Sequence, residues 1–396
     1  METQKSNGVS VDRLSRVAPV IRGLLSNPTQ NDDVPYSHII LKSLTSEEAL
    51  DFAASPNRPG QYPAPIKQLT TPPLYLDVSG NYESASTLRE KFTNRIEAYV
   101  TQYGEKPQVI CLRGMGILYV SQETAEAGDL LHNKVALVTG SAGAIGHGIC
   151  KALLDKGCYV AATDLPGERL DHLVQEFAQT TPDRILGVPL DVTDKVSVAQ
   201  GFARVVEMWG GVDIVIVNAG VALVVSLMEM DLADFQRVER VNVEGTLLTI
   251  AEAARVLSLQ GTGGDIVLIS TKSVFSPAAE YGAYCATKAA SHQLARVASL
   301  ELAQFGVRVN MVAPVAVFSD GAYKSQLWAE IGSDRMKALG MAAADLETYY
   351  RSRNLLKAKI TSQHVANAVL FFVTHQTPTT GATIPVDGGL PDATPR

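Results

Sequence analysis

The sequence predicts an α/β protein: a doubly wound parallel sheet preceded by a smaller N-terminal α/β module. Three observations carry this reading. From Lys134 onward, short apolar runs alternate with helical segments, the pattern of a parallel sheet covered on both faces. A glycine-rich turn, TGSAGAIG from Thr139 to Gly146, lies between the first of these runs and its helix. The chain has 396 residues, beyond the length at which one hydrophobic core usually divides, so two domains are expected.

Taken in order, residues 1–10 are polar and are expected to form a disordered tail. Val11, Leu14, Val17, Ile21, Leu24 and Leu25 recur at helical spacing and predict an amphipathic helix. HIILKSL reads as a short strand, and Thr45 with Glu48 as a capping box for the helix EEALDFAAS. A proline-rich loop runs from Pro56 to Pro73, and LYLDV then reads as a strand. The next helix carries Leu88, Phe92, Ile96, Tyr99, Val100 and Tyr103 inward and is ended by Gly104. PQVICLR and GILYV read as two further strands. These elements place the smaller module at residues 11–130 and the larger domain at 131–396. In the larger domain KVALVTG is a strand, GHGICKALLDKG a helix and YVAATD a strand. GVPLDVTD, VDIVIVNAG, GDIVLIS and VRVNMVAP supply further strands. Right-handed crossovers make such a sheet doubly wound and put its ligand at the carboxyl ends of the strands.

Composition narrows the partners. A hydrophobic fraction of 46% with 19% charged residues describes an ordinary globular protein. The net charge of −7, with no run of Lys or Arg, argues against nucleic acid. The opening METQKSNGVS lacks the regions of a signal peptide. The longest apolar stretch, Ile214 to Met228, is too short for a bilayer and is broken by Asn218 and Gly220, so no membrane is expected. Cys111, Cys150, Cys158 and Cys285 are scattered, which suits reduced thiols in a cytoplasmic protein. The histidines form neither H-x-H nor H-E-x-x-H, so no catalytic metal is expected.

The chemistry is carried by YCATK. Tyr284 and Lys288 share a helix face, and an ammonium there stabilises phenolate, drawing the phenol from about 10 toward neutrality. A tyrosine so placed is a usable proton acceptor. Thr271 offers an upstream hydroxyl for the reacting oxygen, with Ser273 as the alternative. The glycine turn lets backbone approach a pyrophosphate at a helix N-terminus. Asp164 closes the second strand; a carboxylate there binds ribose hydroxyls and repels a 2′-phosphate, which favours NAD over NADP.

On these motifs the chain resembles the short-chain dehydrogenase/reductase family from Lys134 to about Gly389. The resemblance implies a Rossmann-type fold and NAD-dependent interconversion of a secondary alcohol (a sugar, polyol or related hydroxy compound) with its ketone. It implies cofactor roles for Gly140, Ser141, Ala144, Ile145 and Gly146 in the turn. Ala144 stands where the family has its middle glycine, and Gly143 is expected to absorb the conformational demand. Asp191 and Val192 match residues flanking adenine, and Asn218, Ala219 and Gly220 match the motif that backs the cofactor. Asn242 matches a structural and proton-relay asparagine that holds a water. Tyr284 and Lys288 match the catalytic pair, with Lys288 also reaching the nicotinamide ribose. Thr271 stands where serine is usual. Pro314 and Val317 match the segment that contacts the nicotinamide amide, with Val315 in place of the usual glycine. An NADPH-dependent carbonyl reductase of acyl or natural-product substrates and a non-catalytic NAD-binding scaffold are the competing readings.

LSRVAPVIRGLL, TPPLYLDV, PQVICLRGMGILYVSQETAEAGDL and VDGGLPDATPR resemble bifunctional proteins that fuse a class II, rhamnulose-phosphate-type aldolase to a short-chain dehydrogenase. The zinc-binding H-x-H of those aldolases is missing, so a degenerate, non-aldolase module is implied; an unrelated oligomerisation or lid domain is the alternative. Between Pro314 and Leu355, Tyr323, Trp328, Met341, Tyr349, Tyr350, Arg351 and Arg353 fall where the family covers its substrate. They suit a polyol, a sugar or an anionic derivative, or simply lid packing. The helix after Tyr284 carries Ala286, Ala289, Ala290, Leu294, Ala295, Val297, Ala298 and Leu300. A helix apolar on several faces needs more than one cover, so a homodimer or homotetramer is expected.

Overall fold

The computed structural model describes residues 2–55, 62–66, 69–78, 84–121, 128–320, 323–342 and 345–391, without the side chains of 2–12, 85, 320 and 326. The chain divides into two compact units. The smaller comprises Met1–Glu126 with Phe202–Val212 and Arg255–Gly263, and the larger comprises Ala127–Gly201, Asp213–Ala254 and Gly264–Arg396. The two later segments of the smaller unit are helix ends, which periodicity assigns to their own helices and not to a remote unit.

In the smaller unit, α1 (Glu2–Leu25) runs back through the stretch read as a tail; the side chains there lie outside the described residues. Strands β1 (Asn27–Pro28) and β2 (Tyr36–Ser37) pair antiparallel. A four-stranded sheet follows, with β3 (Leu41–Leu44), β4 (Leu74–Leu76), β5 (Val109–Leu112) and β6 (Gly116–Val120) in the order β3-β6-β5-β4. The β4–β5 pairing is parallel and the other two antiparallel. Helices α2 (Glu47–Ala54) and α3 (Ala85–Tyr103) complete it, with Ala49, Phe52 and Ala53 of α2 packed on Val109, Cys111 and Ile117. The capping box expected at Thr45 and Glu48 is absent. Ser46, in extended conformation, caps α2 by accepting from the Ala49 amide at 3.3 Å, so the helix starts one residue later than the motif indicates. Gly104 does end α3. Much of the proline-rich stretch, residues 56–61 and 67–68, lies outside the described residues. Arg22 is fully buried; its Nε donates to the Ile39 carbonyl at 2.7 Å and its Nη1 to Gln260 Oε1 at 2.9 Å.

The larger unit is the predicted parallel α/β fold. Its elements are β7 (Val135–Thr139), α4 (Ala144–Leu154), β8 (Tyr159–Asp164), α5 (Glu168–Ala178), β9 (Ile185–Pro189), α6 (Lys195–Trp209), β10 (Ile214–Val217), α7 (Leu232–Glu239), α8 (Gly245–Gln260) and β11 (Gly264–Ile269). Then come α9 (Gly282–Leu302), β12 (Val307–Pro314), the short pair β13 (Ser319–Asp320) and β14 (Tyr323–Lys324), α10 (Gln326–Leu339), α11 (Leu346–Arg353), α12 (Ser362–Val373) and β15 (Thr383–Val386). The seven-stranded sheet has the order β15-β12-β11-β10-β7-β8-β9, and every pairing in it is parallel. Ala136, Val138, Val160, Ala162, Ile214 and Ile216 of the sheet share a core with Ile149 and Leu153 of α4 and Val365, Val369 and Phe372 of α12. Because β7 lies between β8 and β10, strand order reverses there. The crevice beyond the carboxyl ends of β7 and β10 is therefore where a ligand belongs. No helix among the described residues is long and apolar enough to cross a membrane.

Candidate active site

The glycine turn leaves β7 and enters α4. Gly140 has φ 63°, the left-handed region that glycine tolerates. Gly143 has φ −88°, open to any residue, so the conformational demand expected of Gly143 falls on Gly140. Ala144, in place of the family's glycine, is the buried first residue of α4. A Cβ on Gly146 would lie 2.3 Å from the Gly140 carbonyl oxygen, so only glycine allows the helix to pack this closely on the turn. Gly143 caps α4 with no side-chain acceptor, which leaves the first amides of the helix for an anion. The Ser141 hydroxyl is buried without a partner among the described residues. Ser141 does not line the cleft, whereas Gly140, Ala144, Ile145 and Gly146 do.

Neighbouring strand ends complete this rim. Thr139 Oγ1 accepts from the amides of Asn218 (2.9 Å) and Ala219 (3.1 Å). Asn218 Nδ2 donates to the carbonyls of Thr139 and Gly140, both at 2.9 Å. The Asp164 carboxylate accepts from the amides of Ala142 at 2.9 Å and Leu165 at 2.8 Å, one on each oxygen, and each oxygen keeps lone-pair capacity for a ribose hydroxyl. Asp191 accepts from the Thr193 amide and hydroxyl at 2.9 and 2.8 Å. Asp164, Asp191, Val192, Asn218, Ala219, Gly220, Pro314 and Val317 all line the same cleft. A backbone that only glycine permits, unclaimed helix amides and a carboxylate at the second strand end are the donors and acceptors that a dinucleotide requires.

Thr271, Tyr284 and Lys288 line the cleft beyond this rim. Thr271 caps a short 3-10 turn (Lys272–Val274), its hydroxyl accepting from the Ser273 amide at 3.2 Å. Lys288 is buried on α9 and its Nζ donates to the Ile269 carbonyl at 3.1 Å. Burial pushes its ammonium down to about 8. The expected fall of the tyrosine toward neutrality is not found. Burial pushes Tyr284 up to about 12, opposed by a hydrogen bond with Thr271 and reinforced by Cys285 and Tyr350. Desolvation of the phenolate is the largest cause of this rise. Thr271 and Ser273 both line the cleft.

Asn242 sits in a single π-helical turn, Arg240–Glu244, between α7 and α8. Such turns recur at functional sites. Its Oδ1 accepts from the Val221 amide, and its Nδ2 donates to the Val221 carbonyl and to Thr287 Oγ1, at 2.9, 2.9 and 3.0 Å. Its own carbonyl accepts from the hydroxyls of Thr246 and Ser291, both at 2.6 Å. Val241 rather than Asn242 lines the cleft; the asparagine ties the loop after β10 to α9. Thr287 and Ser291 were missed by the sequence reading, although their i, i+4 spacing astride Lys288 was visible. Arg335 was also missed. It lies on α10, lines the cleft and is 6% exposed, whereas Arg351 and Met341, singled out from the sequence, do not line it. Tyr323, on β14, bonds Glu176 at 2.6 Å and stacks on His147 with ring centroids 3.8 Å apart. Among the described residues no group of three or more His, Cys, Asp or Glu could hold a metal ion.

Comparison with known proteins agrees with this geometry. The family profile described as short chain dehydrogenase matches residues 134–330. An uncharacterised oxidoreductase of Bacillus subtilis strain 168, YuxG, is 34% identical over 265 residues, 66% of this chain. That match spans only 38% of YuxG. The mitochondrial (−)-isopiperitenol/(−)-carveol dehydrogenase of Mentha piperita is 33% identical over 66% of this chain and 94% of its own. The crystal structure of sorbitol-6-phosphate 2-dehydrogenase SrlD from Erwinia amylovora superposes with a TM-score of 0.60 at 27% identity, covering 64% of this chain and 98% of that one. Members of this group use nicotinamide cofactors and act as oxidoreductases. With its parallel sheet, glycine turn and tyrosine–lysine helix, the chain belongs to the short-chain dehydrogenase/reductase family.

Proposed function

We propose that the larger unit is an NAD-dependent dehydrogenase that interconverts a secondary alcohol, of the sugar, polyol or related hydroxy class, and its ketone. The observation that carries this is the opening of Thr271, Tyr284 and Lys288 into the cleft that begins at the glycine turn. When bound, NAD supplies the hydride acceptor. Gly140, Ile145 and the first amides of α4 hold its pyrophosphate, Asp164 accepts from ribose hydroxyls, and Asp191 with Val192 borders the adenine. Asn218, Ala219, Gly220, Pro314 and Val317 shape the wall toward the reacting end. Thr271 orients the substrate oxygen, and Tyr284 takes the alcohol proton. Lys288, positively charged beside it, stabilises the resulting phenolate and offsets the desolvation that otherwise keeps the phenol protonated. Asn242 keeps Lys288 at its depth through Thr287 and Ser291, and its expected water would belong to the proton path behind Lys288. The named activities of polyol dehydrogenases among the relatives, such as sorbitol dehydrogenase of Cereibacter sphaeroides, support the substrate class. A spectrophotometric screen for NADH formation across sugars, polyols, hydroxy acids and secondary alcohols tests the reading. Turnover with NAD, abolished in Tyr284→Phe, is expected.

One observation favours the NADPH-dependent carbonyl reductase as a second reading. Arg169 lies at the same turn, donating to the Ala142 carbonyl at 2.8 Å, and a guanidinium suits a 2′-phosphate. The same screen run with NADP separates the two, and cofactor binding without any turnover would mark a scaffold.

For the smaller unit we retain the degenerate, non-aldolase module of residues 11–130 beside a dehydrogenase of 131–396. YuxG, which continues well beyond the matched stretch, supports a fused origin. The free, buried thiols of Cys111, Cys150 and Cys158 support a reducing, cytoplasmic setting. A homodimer or homotetramer is supported by exposed apolar residues on α9, Val297 at 42% and Leu300 at 79%.

A further inference from the structure

Arg335 is buried in the cleft wall and has no ion-pair partner among the described residues. Its Nε donates to the Tyr350 hydroxyl at 3.3 Å, and its guanidinium carbon stands 4.9 Å from the centre of the Tyr281 ring. No carboxylate among the described residues forms an ion pair with it. A permanent charge removed from water is tolerated when something compensates it. A ring face and one hydroxyl offset part of that cost, yet neither is an anion. Both terminal nitrogens, Nη1 and Nη2, lack a hydrogen-bond acceptor among the described residues. The buried hydroxyl of Tyr281, whose ring the guanidinium faces, also lacks a hydrogen-bond partner among the described residues. A guanidinium fork and a phenolic O–H, unclaimed in one wall, match the oxygens of a carboxylate or a phosphate.

The position relative to the reacting centre fixes what this anion belongs to. Tyr281 packs edge-on to Tyr284 with ring centroids 5.9 Å apart, so Arg335 is one side chain removed from the proton acceptor. Arg353 lines the same cleft and stands 5.5 Å over the Tyr349 ring, adding positive charge to that end. We propose that Arg335, with the Tyr281 hydroxyl, binds an anionic group of the alcohol substrate, so that the substrate is a hydroxy acid or a phosphorylated polyol and not a neutral alcohol. This rests on the dehydrogenase reading. The anion anchors one end of a short molecule while its hydroxyl carbon lies between Thr271 and Tyr284. A neutral alcohol of equal size would leave the guanidinium uncompensated.

The experiment offers matched pairs with NAD and with NADP: sorbitol against sorbitol 6-phosphate, and methyl 3-hydroxybutyrate against 3-hydroxybutyrate. In parallel, inorganic phosphate and malonate are titrated against the fluorescence of Trp328, which lines the cleft. The expected result is a kcat/KM at least tenfold higher for the anionic member of a pair. Saturable binding of phosphate or malonate is expected as well, the stronger of the two identifying phosphate or carboxylate as the group. Arg335→Met should weaken that binding at least tenfold, and Arg335→Lys, which keeps charge and much of the bulk, should fall between. Cofactor affinity should be unchanged in both, which reports a folded site. Equal or better turnover of neutral members, equal losses for both members in Arg335→Met, or no saturable anion binding by the wild type would each overturn the proposal. Failure of the dehydrogenase reading looks different: cofactor does not bind, while anion binding still depends on Arg335.

Discussion

Asn242 and Thr287 are joined by a hydrogen bond of 3.0 Å, which fastens the π-helical turn to the residue next to Lys288. The other Asn242 side-chain bonds, to both backbone groups of Val221, fasten the same turn to the loop that follows β10. One buried amide therefore sets the distance between the loop that backs the cofactor cleft and the helix that carries Tyr284 and Lys288.

Asn242→Ala should therefore cost both stability and rate. It leaves the Val221 amide and carbonyl without their side-chain partner, and because Val221 is half-buried at the cleft the loss is at most about 1–3 kcal/mol for each group. Turnover should fall by more than tenfold, chiefly in kcat, while the protein still folds. A melting curve beside steady-state kinetics reads both, and an unchanged kcat would remove Asn242 from the positioning role.

Tyr284→Phe should abolish turnover and leave cofactor binding intact. The ring still fills its place against Tyr281, so only the proton acceptor is lost. Activity within tenfold of wild type would reassign the proton transfer to another group.

The lysine supplies a pH signature. Lys288 is held at about 8 in the fold against an ordinary 10.5, so between those values the unfolded chain binds more protons than the folded one. Stability from this group therefore rises with pH across that window. Wild type should gain thermal stability relative to Lys288→Met as pH is raised from 8 to 10.5. A difference that is flat or falls over this range would mean that the lysine is not desolvated.

Much of this was legible in the sequence because it is periodic or punctuated. The alternating runs, the glycine turn and the Tyr284–Lys288 pair all declare themselves within a few residues. What was not legible depends on distant partners. Nothing local reveals that Asn242 spends its amide on Val221 and Thr287, or that burial drives Tyr284 upward. Arg335 was passed over because a lone arginine on an amphipathic helix looks solvated until the cleft around it is seen. Thr45 was preferred to Ser46 as a cap because only Thr45 has a Glu three residues on, whereas the extended backbone at Ser46 makes that hydroxyl the acceptor for the Ala49 amide.

Asp164 should set the cofactor preference. Its oxygens accept from Ala142 and Leu165 and so stand where the turn meets the second strand, beside the cleft. Replacing it with Ala removes a ribose acceptor and a repulsive charge together. With about 1.5–3 kcal/mol for hydrogen bonds to a charged group, the ratio of kcat/KM for NAD over NADP should drop by at least tenfold. Asp164→Asn, which keeps an acceptor oxygen for the turn, should shift in the same direction with less loss of stability. A wild type that prefers NADP would favour Arg169 as the determinant.

Assembly follows from the far side of the catalytic helix. Along α9, Ala286, Ala289, Ala290, Val297 and Leu300 are exposed, while Ala283, Thr287, Lys288, Ser291 and Ala295 are buried. The exposed positions recur at helical spacing and form one largely apolar stripe, interrupted by exposed Gln293 and Arg296, so the helix has a second face to cover. A two-fold axis along that stripe would set two copies of α9 against each other, each small residue admitting the other backbone closely. Light scattering at micromolar concentration should therefore report a dimer or tetramer. Leu300→Glu with Val297→Glu should dissociate that pairing by placing like charges across the axis. Because Tyr284 and Lys288 face the opposite way on this helix, cofactor binding should survive dissociation while thermal stability falls with dilution. A wild type that scatters as a monomer with full activity would leave this stripe without its proposed partner.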